Sequence, residues 1–236
     1  MENKDYITHY QKDAELFSYF EEYKYEKDFN SRLHSFIKTF IKGKNNKILD
    51  IGSGGGWSVE IIDENNSLFL MDLSLKNLSE IKRNHKDRGF YIQGDALRLP
   101  FKNNSFNYII ISEVLEHINK PELIIKEAYR VLSEKGKIII TTPYEEKIKY
   151  YLCIHCNNIT PANAHLHSFS IESFRRLCYE LGYNNIEYYK FGNKLWTITR
   201  ISYFLRFLPF WLWRAKDKVL NFILNKPNTL VVIIKK

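Results

Sequence analysis

The chain has 236 residues, 44% of them hydrophobic and 26% charged, which suffices for one sizeable core and excludes a disordered or low-complexity chain. Its formal charge is +8, from 35 basic and 27 acidic side chains, a balance that permits an anionic partner without requiring one. Three cysteines exclude a disulfide framework, and no apolar run reaches the roughly 18–20 residues of a membrane span. The opening segment, MENKDYITHYQKD, has no apolar targeting core, so the chain reads as cytoplasmic.

Residues 1–43 mix Tyr and Phe with charge, contain no Pro, and reach their first glycine at Gly43, which predicts a helical cap. Leu33, Phe36, Ile37, Phe40 and Ile41 form an amphipathic stripe that Gly43 would end. From Lys47 onward short apolar runs alternate with helical patterns: KILDIG, SLFLMDLS, a Lys-rich helix to Arg88, FYIQGD, FNYIIISE, a Pro121-led helix to Leu132, and GKIIITTP. Strands alternating with helices predict an α/β core, residues 44–199, with a mostly parallel sheet covered on both faces. A less regular loop at 150–169 interrupts it before a helix from about Ile171 to Leu181 and the strand IEYYKFG. Residues 200–226 are aromatic and basic, and 227–236, containing TLVVIIKK, form a last strand of the core sheet.

The most informative segment is Ile48-Leu-Asp-Ile-Gly-Ser-Gly-Gly-Gly56. A strand that runs through Asp50 into Gly52, Gly54 and Gly56 lets backbone and ligand approach closely, because those glycines have no Cβ. Asp72 ends the next strand, 22 residues after Asp50, the interval at which a carboxylate can bond ribose hydroxyls. An adenosine cofactor fits both features, and NAD is the natural rival. Against NAD, the loop has one residue fewer before its third glycine than the dinucleotide fingerprint. Asp95, in Gly94-Asp95-Ala96 after the third strand, would accept the adenine amino group.

ILDIGSGGG, MDLS, GDALRLPF, FNYIIISEVLEHI and RVLSEKGKIIITTP together resemble, in order, the motifs of class I S-adenosylmethionine-dependent methyltransferases. The likeness covers roughly residues 45–143 and implies a Rossmann-like, mostly parallel seven-stranded sheet with helices on both faces. It implies that Gly52, Ser53 and Gly54 wrap the methionyl moiety, with Gly56 completing the loop. Asp72, with Leu73 beside it, would hold the ribose, Asp95 and Ala96 the adenine, and Ser112 and Glu113 would line the floor near the methyl group. Asp50 would position the loop or the ligand's amino group. Methyltransferases acting on adenine-type amino groups carry an Asn/Asp-Pro-Pro-aromatic motif after the fourth strand, where this chain has SEVLEH, so a small-molecule or lipid-like acceptor is expected. The competing expectations are a non-catalytic S-adenosylmethionine-binding regulatory or scaffold protein and an RNA-directed methyltransferase.

Three other features carry chemistry. Cys153-Ile-His-Cys156 followed by His165-Leu-His167 has the residue types of a zinc site, although the H-x-H spacing is short. A subset of the same methyltransferases is similar in carrying C-x2-C and then H-x-x-S-F, which makes Cys153, Cys156 and His165 the expected ligands and His167 a fourth. The competing reading is half-buried cysteines and a histidine that caps the next helix. His117, after the fourth strand, is the candidate catalytic base for a hydroxyl acceptor, its plainer reading being a histidine bonded at a helix start; without metal, His165 or His167 would serve. Finally, residues 200–236 hold eight basic side chains and one acid, a net of +7 beside seven aromatic residues, whereas residues 1–199 are close to neutral. For 200–226 the readings are a lid packed between the sheet edge and the N-terminal helices, with or without a hydrophobic substrate, a peripheral membrane contact, and, least favoured, a nucleic-acid contact.

Overall fold

The computed structural model describes residues 5–18, 20, 24–154, 157–199 and 205–236. Helices α1 (Asp5–Leu16) and α2 (Lys24–Lys38) precede β1 (Lys47–Ile51), α3 (Trp57–Ile61), β2 (Ser67–Asp72), α4 (Leu75–His85), β3 (Phe90–Gln93) and β4 (Phe106–Ser112). There follow α5 (Pro121–Val131), β5 (Leu132–Pro143), a hairpin of β6 (Tyr150–Leu152) and β7 (Ile159–Pro161), then α6 (Ile171–Glu180), β8 (Ile186–Asn193), α7 (Lys194–Thr199), α8 (Phe210–Leu224) and β9 (Pro227–Lys235). The sheet order is β3-β2-β1-β4-β5-β9-β8. All neighbours are parallel except that β9 runs antiparallel to both β5 and β8. Order reverses between β1 and β4, and at such a switch point the carboxyl ends of the strands open a crevice for a ligand.

Alternation along each strand divides the core between the two faces of the sheet. Leu49, Ile51, Ile109 and Ile111 face α5 and α6, meeting Ile124, Ala128 and Phe174. Ile48, Leu70, Ile110 and Ile139 face the other side, meeting Leu33, Phe36 and Ile37 of α2, Ile81 of α4 and Trp213 of α8. β9 lies inside the sheet, so Leu230 through Ile234 are all fully buried and the strand reads as one continuous apolar run. Helix starts follow ordinary capping: Pro121 opens α5, Ser74 accepts from the Asn77 N–H at α4, and Ser170 and Ser173 cap α6 reciprocally. The stripe expected through Ile41 ends earlier, since α2 stops at Lys38 and Phe40 lies in a turn.

The last helix is attached to the sheet by polar groups. The Asp217 carboxylate, wholly buried, accepts bonds from Gly192 N–H (3.0 Å), the Arg214 guanidinium (2.6 Å) and Asn221 Nδ2 (3.1 Å). Asn221 also donates to the Gly192 carbonyl at 3.2 Å and accepts from Asn193 at 2.8 Å. Gly192 is held at φ 63°, and a Cβ there would lie 2.3 Å from the Phe29 ring. Asp217→Ala leaves the Arg214 charge buried without its partner and should cost about 3–5 kcal/mol in urea unfolding, whereas Arg214→Met/Asp217→Leu should cost much less. Equal losses in the two variants would show that the network does not anchor this helix.

Candidate active site

β1 ends in a turn that only glycine accommodates. Gly52 sits at φ 72°, its N–H donates to the Met71 carbonyl at 2.8 Å, and an added Cβ would lie 2.6 Å from Val114 Cγ2. Asp72 ties the loop to β2: its carboxylate accepts the Gly54 N–H at 2.9 Å and the Ser74 N–H at 2.8 Å. Asp50 is buried behind the loop, where it accepts the Ser58 hydroxyl at 2.5 Å. Burial pushes its carboxyl up to about 7, the Ser58 bond opposing and the nearby Asp72 adding to the rise.

A cavity of about 140 Å³ opens at this switch point. One wall is Gly52, Gly54, Asp72 and Leu73; Asp95 and Ala96 close one end, and Glu113, Val114 and His117 the other. Its roof is α1. Tyr6 Oη donates to Asp95 at 2.6 Å and Tyr10 Oη donates to the His117 carbonyl at 3.4 Å, and burial raises both phenols well above their usual range. Neither tyrosine, nor Asn77 in the wall, was expected from the sequence. The signal available was the i, i+4 spacing of Tyr6 and Tyr10, which places both rings on one helix face.

Beyond Glu113 lies a second cluster. Glu113, at φ 54°, accepts from the Thr141 hydroxyl (2.9 Å), which is itself bonded to Ser112 Oγ (2.9 Å). Glu116 is 1% exposed; one oxygen accepts from Thr142 at 3.3 Å and the other has no partner among the described residues. Burial and the Glu113 charge raise its carboxyl well above the usual range. His117 Nδ1 is also buried without a partner, and burial, then the neighbouring His165, push that imidazole down to about 4. The His117 and His165 rings stand 4.8 Å apart, edge to face, and His165 Nδ1 bonds Glu146. Ligand atoms of Glu116, His117 and His165 all lie within 4.8 Å of one another, the geometry of a two-histidine, one-carboxylate cation site.

A family model described as a methyltransferase domain matches residues 49–140. Residues 49–140 are therefore a methyltransferase domain of the S-adenosylmethionine-dependent, class I type. It is similar to a demethylmenaquinone methyltransferase of Renibacterium salmoninarum, 37% identical over 40% of each chain. It is also similar to a ubiquinone/menaquinone biosynthesis C-methyltransferase of Rickettsia prowazekii, 27% identical over 63% of this chain and 72% of the relative. The fold matches phosphoethanolamine N-methyltransferase 2 of Haemonchus contortus, solved with S-adenosylmethionine, at a TM-score of 0.58 and 18% identity, covering 88% of this chain and 52% of that one.

Within this methyltransferase the residues singled out in the sequence divide. Gly52, Gly54, Asp72, Leu73, Asp95, Ala96, Glu113 and His117 line the cavity. Asp50, Ser53, Gly56 and Ser112 do not. Ser53 is fully buried, and Gly56 makes room for Ile81 of α4, which a Cβ would meet at 2.8 Å. Of the expected zinc set, Cys153, His165 and His167 lie among the described residues, and the two histidines have other partners there. The Glu116 carbonyl accepts the Leu166 and His167 N–H groups, a pairing that turns His165 toward Glu146 and His117, while His167 Nε2 donates to the Asn119 carbonyl at 3.3 Å. Cys153 sits at the β6–β7 turn, and Cys156 lies outside the described residues. The described part of 200–226 packs between the edge strand β8 and helix α2, the position expected of the lid, and lines none of this cavity.

The Asp50 carboxyl gives a pH signature. Its unfolded form ionises near 3.8 and its folded form near 7, so between these values the fold keeps a proton that the unfolded chain has lost. Stability should therefore fall as pH rises from about 4 to about 7, and Asp50→Asn should flatten that slope. Urea melts across this range decide it; identical slopes for both proteins would refute the assignment.

Proposed function

We propose that this enzyme transfers the S-adenosylmethionine methyl group to a hydroxyl of a small, hydrophobic, lipid-like acceptor. The observation that carries the reading is one cavity with a nucleoside-type wall at Asp72 and Asp95 and a neutral imidazole, His117, at its other end. Both Asp72 oxygens accept backbone N–H bonds and keep lone pairs for ribose hydroxyls. Asp95 and Ala96 take the adenine end, and the Gly52–Gly54 backbone takes the methionyl end. Tyr6 and Tyr10 cover the bound cofactor and keep water out. Ser53, Gly56, Asp50 and Ser112 act from behind: they shape the loop and, through Thr141, hold Glu113.

The acceptor oxygen attacks the methyl carbon in line, the carbon–sulfur bond breaks, S-adenosylhomocysteine leaves, and the hydroxyl proton passes to His117. In a second form of the site, Glu116, His117 and His165, with Glu146 orienting His165, would hold a divalent cation; His117 would then spend its lone pair on the cation, which would replace it as the activator by lowering the pKa of a hydroxyl bound beside it. This cluster replaces the cysteine-based set as the metal proposal. Hydrophobic acceptors are favoured by the hairpin between Glu146 and His165, which exposes Tyr150, Tyr151, Leu152 and Ile159, and by the quinone-directed activities named for two relatives. The intact cavity wall speaks against a purely regulatory cofactor binder. No helix of the described residues is long and apolar enough to cross a membrane, and a cytoplasmic location is part of the proposal.

Turnover to S-adenosylhomocysteine should appear with prenylated phenolic or catechol acceptors and not with polar metabolites. His117→Asn should lower kcat about 100-fold or more while S-adenosylhomocysteine affinity, measured by calorimetry, stays unchanged. Asp72→Asn should instead weaken that affinity about tenfold. Loss of affinity in His117→Asn would remove it from the acceptor side.

A further inference from the structure

Helix α8 faces the wrong way for a helix of a water-soluble protein. Its polar residues Arg214, Asp217 and Asn221 point inward, Asp217 and Asn221 bonding Gly192 and Asn193 and Asp217 pairing with Arg214, so the rotation of the helix about its axis is set by hydrogen bonds. Only Trp213 among its large apolar side chains is fully buried. The same rotation turns Trp211 (70% exposed), Val219 (59%), Phe222 (89%) and Ile223 (68%) to solvent, and Phe207 (80%) continues the patch before the helix. Lys216 and Lys218 are exposed among them, and the Arg206 guanidinium stands over the Phe207 ring. Ordinary surface helices do the reverse, and a contiguous exposed apolar patch edged with cations marks an interaction surface.

We propose that this face docks on an anionic lipid surface, with the aromatic and aliphatic side chains at headgroup depth and the lysines on lipid phosphates. Charge decides the occupant. The α8 face exposes Lys216 and Lys218, and the one acid of the helix, Asp217, is buried on its other side, so the charge presented with the apolar patch is positive. A second copy of the chain would set cations against cations across a self-paired face. Single-stranded RNA would be drawn by the charge and could stack on Trp211 and Phe222, but Val219 and Ile223 present no ring to a base. The inference does not depend on the proposed acceptor, although it would bring the active site to a membrane-dissolved one.

The full-length protein should co-sediment with vesicles of phosphatidylcholine containing phosphatidylglycerol and much less with phosphatidylcholine alone. Phe222→Ser/Ile223→Ser should reduce the bound fraction about tenfold, and Lys216→Glu/Lys218→Glu should remove the preference for anionic vesicles. Both pairs are exposed, so unchanged Tm and unchanged S-adenosylhomocysteine affinity identify folded variants. The proposal is overturned by equal binding of wild type and the serine variant, by no binding to either vesicle, by a concentration-dependent dimer in light scattering that the serine variant abolishes, or by binding to single-stranded RNA without binding to vesicles.

Discussion

The contact of Gly52 with Val114 joins the two halves of the active site. Gly52 ends β1 and Val114 follows β4, the two strands between which the sheet reverses its order. With 2.6 Å between an imagined Cβ and Val114, the β1 turn and the β4 turn are packed as tightly as backbone and side chain permit. The wall proposed for the cofactor hangs from one side of that junction through Asp72, and the cluster proposed for the acceptor hangs from the other through Glu113, Glu116 and His117. A shift of either turn would alter the distance over which a methyl group must travel, so the steric constraint at one glycine is also the positional constraint on the reaction.

Burial without full pairing sets the electrostatics of the acceptor end. Glu116 is out of water and meets the charge of Glu113 at the cavity edge, and His117 is kept neutral by desolvation. One Glu116 oxygen and His117 Nδ1 have no protein partner among the described residues, and unsatisfied buried groups of this kind are costly for a fold to keep unless a ligand, proton or ion meets them. The cofactor end is different in kind: Asp72 and Asp95 are each tied by hydrogen bonds, so they hold the shape of the cavity before anything binds.

The meeting of Gly52, Gly54, Asp72 and Asp95 at one cavity was legible in the chain because it is local. A glycine turn, the carboxylate at the end of the next strand and Gly94-Asp95-Ala96 each follow directly from a strand, and parallel strands bring their carboxyl ends to one edge by construction. The acceptor cluster was only half legible. Glu113 and His117 stand in one segment, but His165 and Glu146 arrive from beyond β5, and nothing in a C-x2-C spacing reveals that the Glu116 carbonyl will capture the 166–167 backbone and that His165 will meet His117 and Glu146. E-x-x-E-H followed far downstream by a second histidine was the available signal. Tyr6 and Tyr10 were hidden for a similar reason, since the docking of α1 over the crevice is a long-range event.

By itself the sequence determined the alternation of strands and helices, the family motifs, the strand-end carboxylates Asp72 and Asp95 and the concentration of positive charge in the last 37 residues, because periodicity, glycine turns and charge are properties of neighbouring residues. Tertiary structure alone decided that α1 and not α8 covers the cavity, that His165 joins His117, and that α8 turns its apolar face outward. Composition counts Trp211, Phe222 and Asp217 alike as members of one helix; only the buried bond between Asp217 and Gly192, 25 residues away, settles which of them meets water.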